Sequence, residues 1–136
     1  MPDSAVKFEL DLKSRVPIYM QIVDQVKVMI ASGRLLRGDQ LPTVRQVAVD
    51  LMINPNTVSR AFLELEHHGI ISTQRGIGTF VSQDIGSVFT ADETTRRTEK
   101  LVRGFLRGMM ELGHSPEDIK AEVRNVLEGW KEDSEE

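Results

Sequence analysis

The stretch Asn54-Pro55-Asn56-Thr57-Val58-Ser59-Arg60 carries the side chains best suited to chemistry in this sequence, and that chemistry is hydrogen bonding. An asparagine amide can make two hydrogen bonds to adenine, and an arginine guanidinium can make two to guanine. Serine and threonine hydroxyls suit phosphates or base edges. The residues needed for bond-making chemistry are missing. There is no cysteine, hence no disulfide and no thiolate. His67 and His68 are adjacent, so on a helix they point to different sides, which is poor metal-ligand spacing. His114 stands far along the chain, and no Ser-His-Asp set or phosphate-binding loop appears. The sequence therefore predicts no enzyme, no metal and no cofactor.

Hydrogen-bonding side chains need a rigid carrier, and the flanking patterns supply one. Val58, Ala61, Phe62 and Leu65 fall at i, i+3, i+4 and i+7, one apolar face of a helix over 55–68. With Val58, Ala61 and Phe62 turned inward, Asn56, Thr57, Ser59 and Arg60 are left to project outward. Asn54 is the expected cap, and Pro55 suits the first helical position. A shorter helix over 44–52 precedes it, opened by a Thr43-x-x-Gln46 capping box and burying Val44, Val47, Ala48 and Leu51. A first helix over 18–32 is opened by Pro17 in its first turn and closed by Gly33. Its apolar positions are Ile18, Ile22, Val26 and Ile30, with Tyr19, Val23 and Met29 beside them. Between these helices, 34–42 reads as a loop. Past Gly69, two β-prone runs, 70–75 and 79–82, flank Gly76-Ile77-Gly78 and predict a hairpin.

Two short helices joined by a tight turn form a helix-turn-helix, and the hairpin makes it winged. Such a motif places its second helix in the major groove, where N-terminal residues meet base edges. The free N–H groups and positive dipole end of that helix should also favour a nearby phosphate.

The rest of the chain is organised around this unit. Val6, Phe8, Leu10 and Leu12 alternate, so residues 1–16 read as a short strand or extended arm. The winged unit spans 17–83, a polar linker 84–90, a two-helix tail 91–131, and a frayed acidic end 132–136. Thr90 and Glu93 open the first tail helix, which ends at Gly113; Ser115 and Asp118 open the second. Leu101, Val102, Phe105, Leu106, Met109 and Leu112 on one, with Val123, Leu127 and Trp130 on the other, exceed what two helices can bury by themselves. A large apolar side chain gains about 1.5–3 kcal/mol on burial, so a partner is expected, and a two-fold homodimer is the commonest solution. The competing arrangement folds the tail back onto its own winged unit. The net charge of −4 lies beyond residue 84: residues 1–84 hold nine basic and nine acidic residues, and residues 85–136 hold eight and twelve. A neutral front half can still present a local basic surface. No apolar run approaches a membrane span, and the N-terminus lacks a signal core, so a cytoplasmic protein is expected.

These motifs, in this order, resemble the DNA-binding domain of the GntR family of bacterial regulators. The matching pieces are Pro17-Ile18-Tyr19-x-Gln21-Ile22, Ile30-Ala31-Ser32-Gly33-Arg34-Leu35 and Gly38-Asp39-Gln40-Leu41-Pro42-Thr43-Val44-Arg45. Asn54-Pro55-Asn56-Thr57-Val58, Gly69-Ile70-Ile71 and Arg75-Gly76-x-Gly78-Thr79-Phe80-Val81 complete the set. Asn-Pro-Asn-Thr-Val and the short tail look most like the YtrA subfamily. The resemblance implies that Arg45 contacts DNA from the second helix. It implies that Asn54, Asn56, Thr57 and Ser59 occupy recognition positions, with Arg60 beside them. Arg75 and Gly76 would stand where the wing tip enters the minor groove, whose negative potential suits an arginine. The chain departs from members that carry basic residues at the positions of Pro55 and Ser59. The expected protein is mainly α with a small β-hairpin, a dimeric regulator of double-stranded DNA on a palindromic operator, by resemblance a repressor. A winged-helix module for protein–protein contact is the alternative, and a small-molecule effector is left open.

Overall fold

The computed structural model describes residues 6–134, with side chains through Trp130. The chain divides into two compact units, Met1–Phe89 and Thr90–Glu136. In the first, α1 (Ile18–Ala31), α2 (Val44–Leu51) and α3 (Pro55–His67) surround one core. α3 packs on both α1 and α2. Its four inward residues Val58, Ala61, Phe62 and Leu65 are all buried, against Ile22, Val23, Val26 and Met29 of α1 and Val47 and Ala48 of α2. Ile18, Tyr19, Ile30, Val44 and Leu51 pack at the rim and stay partly exposed.

The helix ends follow their local chemistry. Thr43 accepts the Gln46 N–H at 3.1 Å while the Gln46 side chain accepts the Thr43 N–H at 2.8 Å, a complete capping box. Pro17 is the N-cap of α1, one residue before the first turn in which it was expected. Between α2 and α3, Met52 turns the chain in a left-handed conformation (φ 57°, ψ 45°).

β1 (Gln40–Leu41), β2 (Ile71–Gln74) and β3 (Gly78–Val81) form an antiparallel sheet in the order β1-β3-β2. β2 and β3 are the expected hairpin, registered from Ile71↔Val81 to Gln74↔Gly78. β1 lies inside what reads locally as a loop. Its two residues pair with Phe80 and Thr79, a long-range contact with no local pattern. Gly76 takes φ 78° at the hairpin tip, a conformation glycine adopts without steric cost.

Residues 6–16 form an arm, not a strand. Val6 is buried in the core, with Phe8 and Leu10 packed against it, whereas Leu12 is exposed. The arm's backbone pairs with two side chains of α1. The Gln25 amide accepts the Glu9 N–H at 2.9 Å and donates to the Glu9 carbonyl at 2.6 Å. One turn earlier, the Gln21 amide accepts the Asp11 N–H at 2.9 Å and donates to the carbonyls of Asp11 and Val16. The expected linker 84–90 also carries buried side chains: Ile85 joins the core, and Phe89 is buried with Lys27 above its ring at 5.9 Å. The contact boundary falls between 89 and 90.

The second unit is α4 (Ala91–Glu111) and α5 (Pro116–Ser134). The Thr90 hydroxyl accepts the Glu93 N–H at 3.1 Å. Ser115 and Asp118 cap α5 reciprocally, at 3.2 Å each way. The N–H of Ser115, with smaller help from His114, holds the Asp118 carboxyl below the ordinary carboxylate range. α5 continues to Ser134, past the expected end at 131; residues 135 and 136 of the acidic end lie outside the described residues. No helix among the described residues is long and apolar enough to cross a membrane.

Met52 closes α2 in this left-handed conformation, and its side chain, 90% exposed, gains no burial that offsets the steric cost. Met52→Gly should stabilise the first unit by about 0.5–1 kcal/mol, the steric relief exceeding the added chain entropy. Urea unfolding of both proteins measures it; a lower midpoint for the glycine variant would refute it.

Candidate nucleic-acid interface

α3 begins at a built stop. The Asn54 side chain accepts the Asn56 N–H at 2.8 Å, Pro55 has no N–H, and the Thr57 N–H reaches the Asn54 carbonyl at 3.0 Å. The first-turn donors expected to be free for a phosphate are therefore engaged within the chain. What this end can offer a ligand is its side chains and the helix dipole.

The buried stripe of α3 decides which of these side chains are available. Asn54, Asn56 and Arg60 are exposed; Thr57 and Ser59, expected to project fully, are half-buried beside Val58. The Arg60 guanidinium does not extend freely into solvent. It lies over the Tyr19 ring, 3.9 Å from its centroid, a cation–π contact joining α3 to α1. The sequence carries no local signal for this contact, because Tyr19 reads as a core position. Arg45, the second residue of α2, is exposed, and α2 packs directly on α3. Arg45 and the first turn of α3 thus belong to one packed helix pair.

Arg75 and Gly76 form the tip of the β2–β3 hairpin, where Ser72 through Ile77 are all exposed. Ile77, 66% exposed near Arg75, is an apolar tip residue to which the sequence pattern assigned no role; its place inside the glycine turn was the available signal. Gly78 takes φ 146°, and a Cβ there would press on the Gln40 amide, which in turn donates to the Ile77 carbonyl. His67 and His68 are both exposed, with ring centroids 5.8 Å apart. Among the described residues no cluster of His, Asp or Glu has the makings of a metal site.

In the second unit none of α4 is buried. Leu101 is 74% exposed, Phe105 45% and Trp130 66%, with Val102, Leu106, Leu112 and Leu127 also exposed and Met109 and Val123 half-buried. Phe105, Leu106, Val123, Leu127 and Trp130 are among the side chains that line an open apolar groove of about 940 Å³ between α4 and α5, floored by Ile119.

A trihelical core, a capped second helix with polar residues in its first turn, and a wing with an arginine at its tip define a winged helix-turn-helix module. Comparison with known proteins gives the lineage. Residues 18–81 match the model of the bacterial regulatory proteins, gntR family. An HTH-type transcriptional regulator of Bacillus subtilis, YhcF, is 38% identical over 118 residues, covering 86% of this chain and 95% of that one. The HTH-type transcriptional repressor YtrA of the same organism is 42% identical over 93 residues, covering 68% and 72% respectively. The solved structure of YtrA from Sulfolobus acidocaldarius, a GntR-family transcription factor, superposes with a TM-score of 0.55 at 31% identity, covering 74% of this chain and 97% of that one. The chain belongs to the GntR family and is a winged helix-turn-helix transcriptional regulator, similar to its YtrA-type members.

The Arg60–Tyr19 contact has a measurable worth. A double-mutant cycle with Arg60→Gln and Tyr19→Leu should give a coupling of about 0.5–1 kcal/mol in stability, the range of an exposed cation–π pair. Zero coupling would mean that the stacking contributes nothing.

Proposed function

We propose that this chain represses transcription by binding a palindromic operator as a homodimer, one winged unit per half-site. The observation that carries this reading is the exposed polar first turn of α3, held on a buried apolar stripe with Arg45 beside it and Arg75 on the wing. Asn56 reads a base edge in the major groove. Arg45 and Arg75 hold the duplex from either side, with Gly76 permitting close approach of the wing. Asn54 serves chiefly as the cap that aims the helix. Thr57 and Ser59 present their hydroxyls to phosphates at the rim, and Arg60 reaches DNA only by leaving Tyr19. The relative named as a repressor supports the direction of regulation. Such a protein works where the chromosome is, in the bacterial cytoplasm.

The operator is obtained by in vitro selection from a random duplex library. Arg45→Ala and Arg75→Ala should each weaken its binding and flatten its salt dependence, by about 0.9 in log–log slope for every phosphate no longer neutralised. Asn56→Ala should cost about 1–3 kcal/mol of discrimination at one base pair per half-site. Variants that bind and discriminate like the parent would remove these residues from the interface.

Pairing is proposed to run through the apolar groove of the second unit. Leu101, Val102, Phe105, Leu106, Met109 and Leu112 of one copy would cover Val123, Leu127 and Trp130 of the other, or their own counterparts. Phe105→Glu should make the protein monomeric, since a charge in that seam has no partner. Operator affinity should then fall roughly a hundredfold or more as avidity disappears. Sedimentation equilibrium decides it: a Phe105→Glu protein that remains dimeric moves the pairing surface elsewhere.

A further inference from the structure

α4 has a second face. Arg96, Lys100, Arg103 and Arg107 are all exposed, and at 100° per residue they fall within an arc of roughly 60°. That arc lies opposite the one carrying Leu101, Val102, Phe105 and Met109. Among the described residues none of the four forms an ion pair. Glu99 and Glu111 stand one turn from Arg103 and Arg107 but do not close on them. Arg96, Lys100, Arg103 and Arg107 instead line a shallow groove with Glu99 and with Gly104, whose missing side chain leaves open space.

We infer that this basic face is a second DNA-binding surface, which holds phosphates of the duplex flanking the operator. The inference rests on the reading of the winged unit as operator-binding. The four cations extend over twelve residues, about 16 Å of helix from first to last, which matches the axial rise of about five phosphates on one strand. Three are arginines, whose planar forks pair with phosphate in two-pronged fashion. On α5 the acids Glu117, Asp118, Glu122 and Glu128 fall within an arc of roughly 140°, with Lys120 and Arg124 outside it. Among the described residues none of these acids pairs with the four cations of α4. A protein partner would want an aromatic or apolar anchor, and this arc has none; only Leu106 and Met110 flank it. A bilayer would take up the opposite, apolar face and leave these cations pointing away from the headgroups. Covalent linkage to the winged unit keeps the face close to DNA whenever an operator is bound, so weak phosphate contacts add appreciably to affinity.

The test uses the full chain and two duplexes. One is the selected operator trimmed to its half-sites; the other carries about 15 further base pairs on each side, roughly a turn and a half. Arg96→Gln/Lys100→Gln/Arg103→Gln/Arg107→Gln should bind the trimmed duplex as the parent does. It should bind the flanked duplex about tenfold or more weakly, with a log–log salt slope shallower by about 0.9 for each flanking phosphate it fails to neutralise. As a second variant, Glu99→Gln removes the nearest negative charge and should tighten binding to the flanked duplex alone. If the parent binds both duplexes and neither variant changes the flanked one, the second surface is refuted while the operator reading stands. If the parent binds no duplex at low salt, the operator reading falls and takes this surface with it. If parent but not fourfold variant sediments with phosphatidylserine vesicles, while both bind the flanked duplex equally, the face belongs to a membrane and the inference is overturned.

Discussion

Val58, Ala61, Phe62 and Leu65 are buried between α1 and α2, and the rest of the first unit is arranged around that burial. Each of Val58, Phe62 and Leu65 gains about 1.5–3 kcal/mol from leaving water, enough to fix the rotation of α3 about its axis. Once that rotation is set, the outward side chains follow by elimination. Asn56 faces solvent because Val58 and Phe62 cannot. Thr57 and Ser59 are only half out because they flank the stripe. The cap at Asn54 fixes where the helix begins, and therefore which residue types occupy its first turn. The polar face is thus a by-product of an apolar constraint, and a substitution in the stripe would disturb recognition without touching it.

The parts of this architecture that were legible in the sequence are the ones decided within a few residues. The capping box at Thr43 and Gln46, the Asn54-Pro55 start, the reciprocal Ser115–Asp118 cap and the glycine turn of the hairpin all act over three or four positions. The periodicity of α3 was equally plain. What escaped depends on distant partners. β1 is two residues long, and only Phe80 and Thr79 make it a strand. Arg60 reads as an outward cation until Tyr19, forty-one positions earlier, comes beneath it. The 84–90 segment looks polar, yet Ile85 and Phe89 are buried and belong to the first unit. The first-turn N–H groups of α3 looked available for a phosphate until their partners could be seen.

α4 shows how much a single helix can be asked to do. One side is apolar from Leu101 onward, and the opposite side carries Arg96, Lys100, Arg103 and Arg107. Such a helix is poorly stabilised alone, since no residue of α4 is fully buried within its own chain. In the proposed function its apolar side meets a second copy and its basic side a polyanion. The two demands are compatible because they lie on opposite sides, and satisfying one leaves the other exposed.

The glutamines of α1 have a different kind of consequence. Gln21 and Gln25 hold the arm by its main chain alone, as a neighbouring strand would, but from the side of a helix. A clasp of that sort cannot tell one residue from another. Lys7 and Glu9 are therefore free to vary among related proteins, as long as Val6, Phe8 and Leu10 remain apolar, whereas the Asp11 carboxylate also accepts the Lys13 N–H. The arm is then a region where lineages can change surface charge next to a fixed core at little risk to folding, while the two amides themselves tolerate almost no replacement.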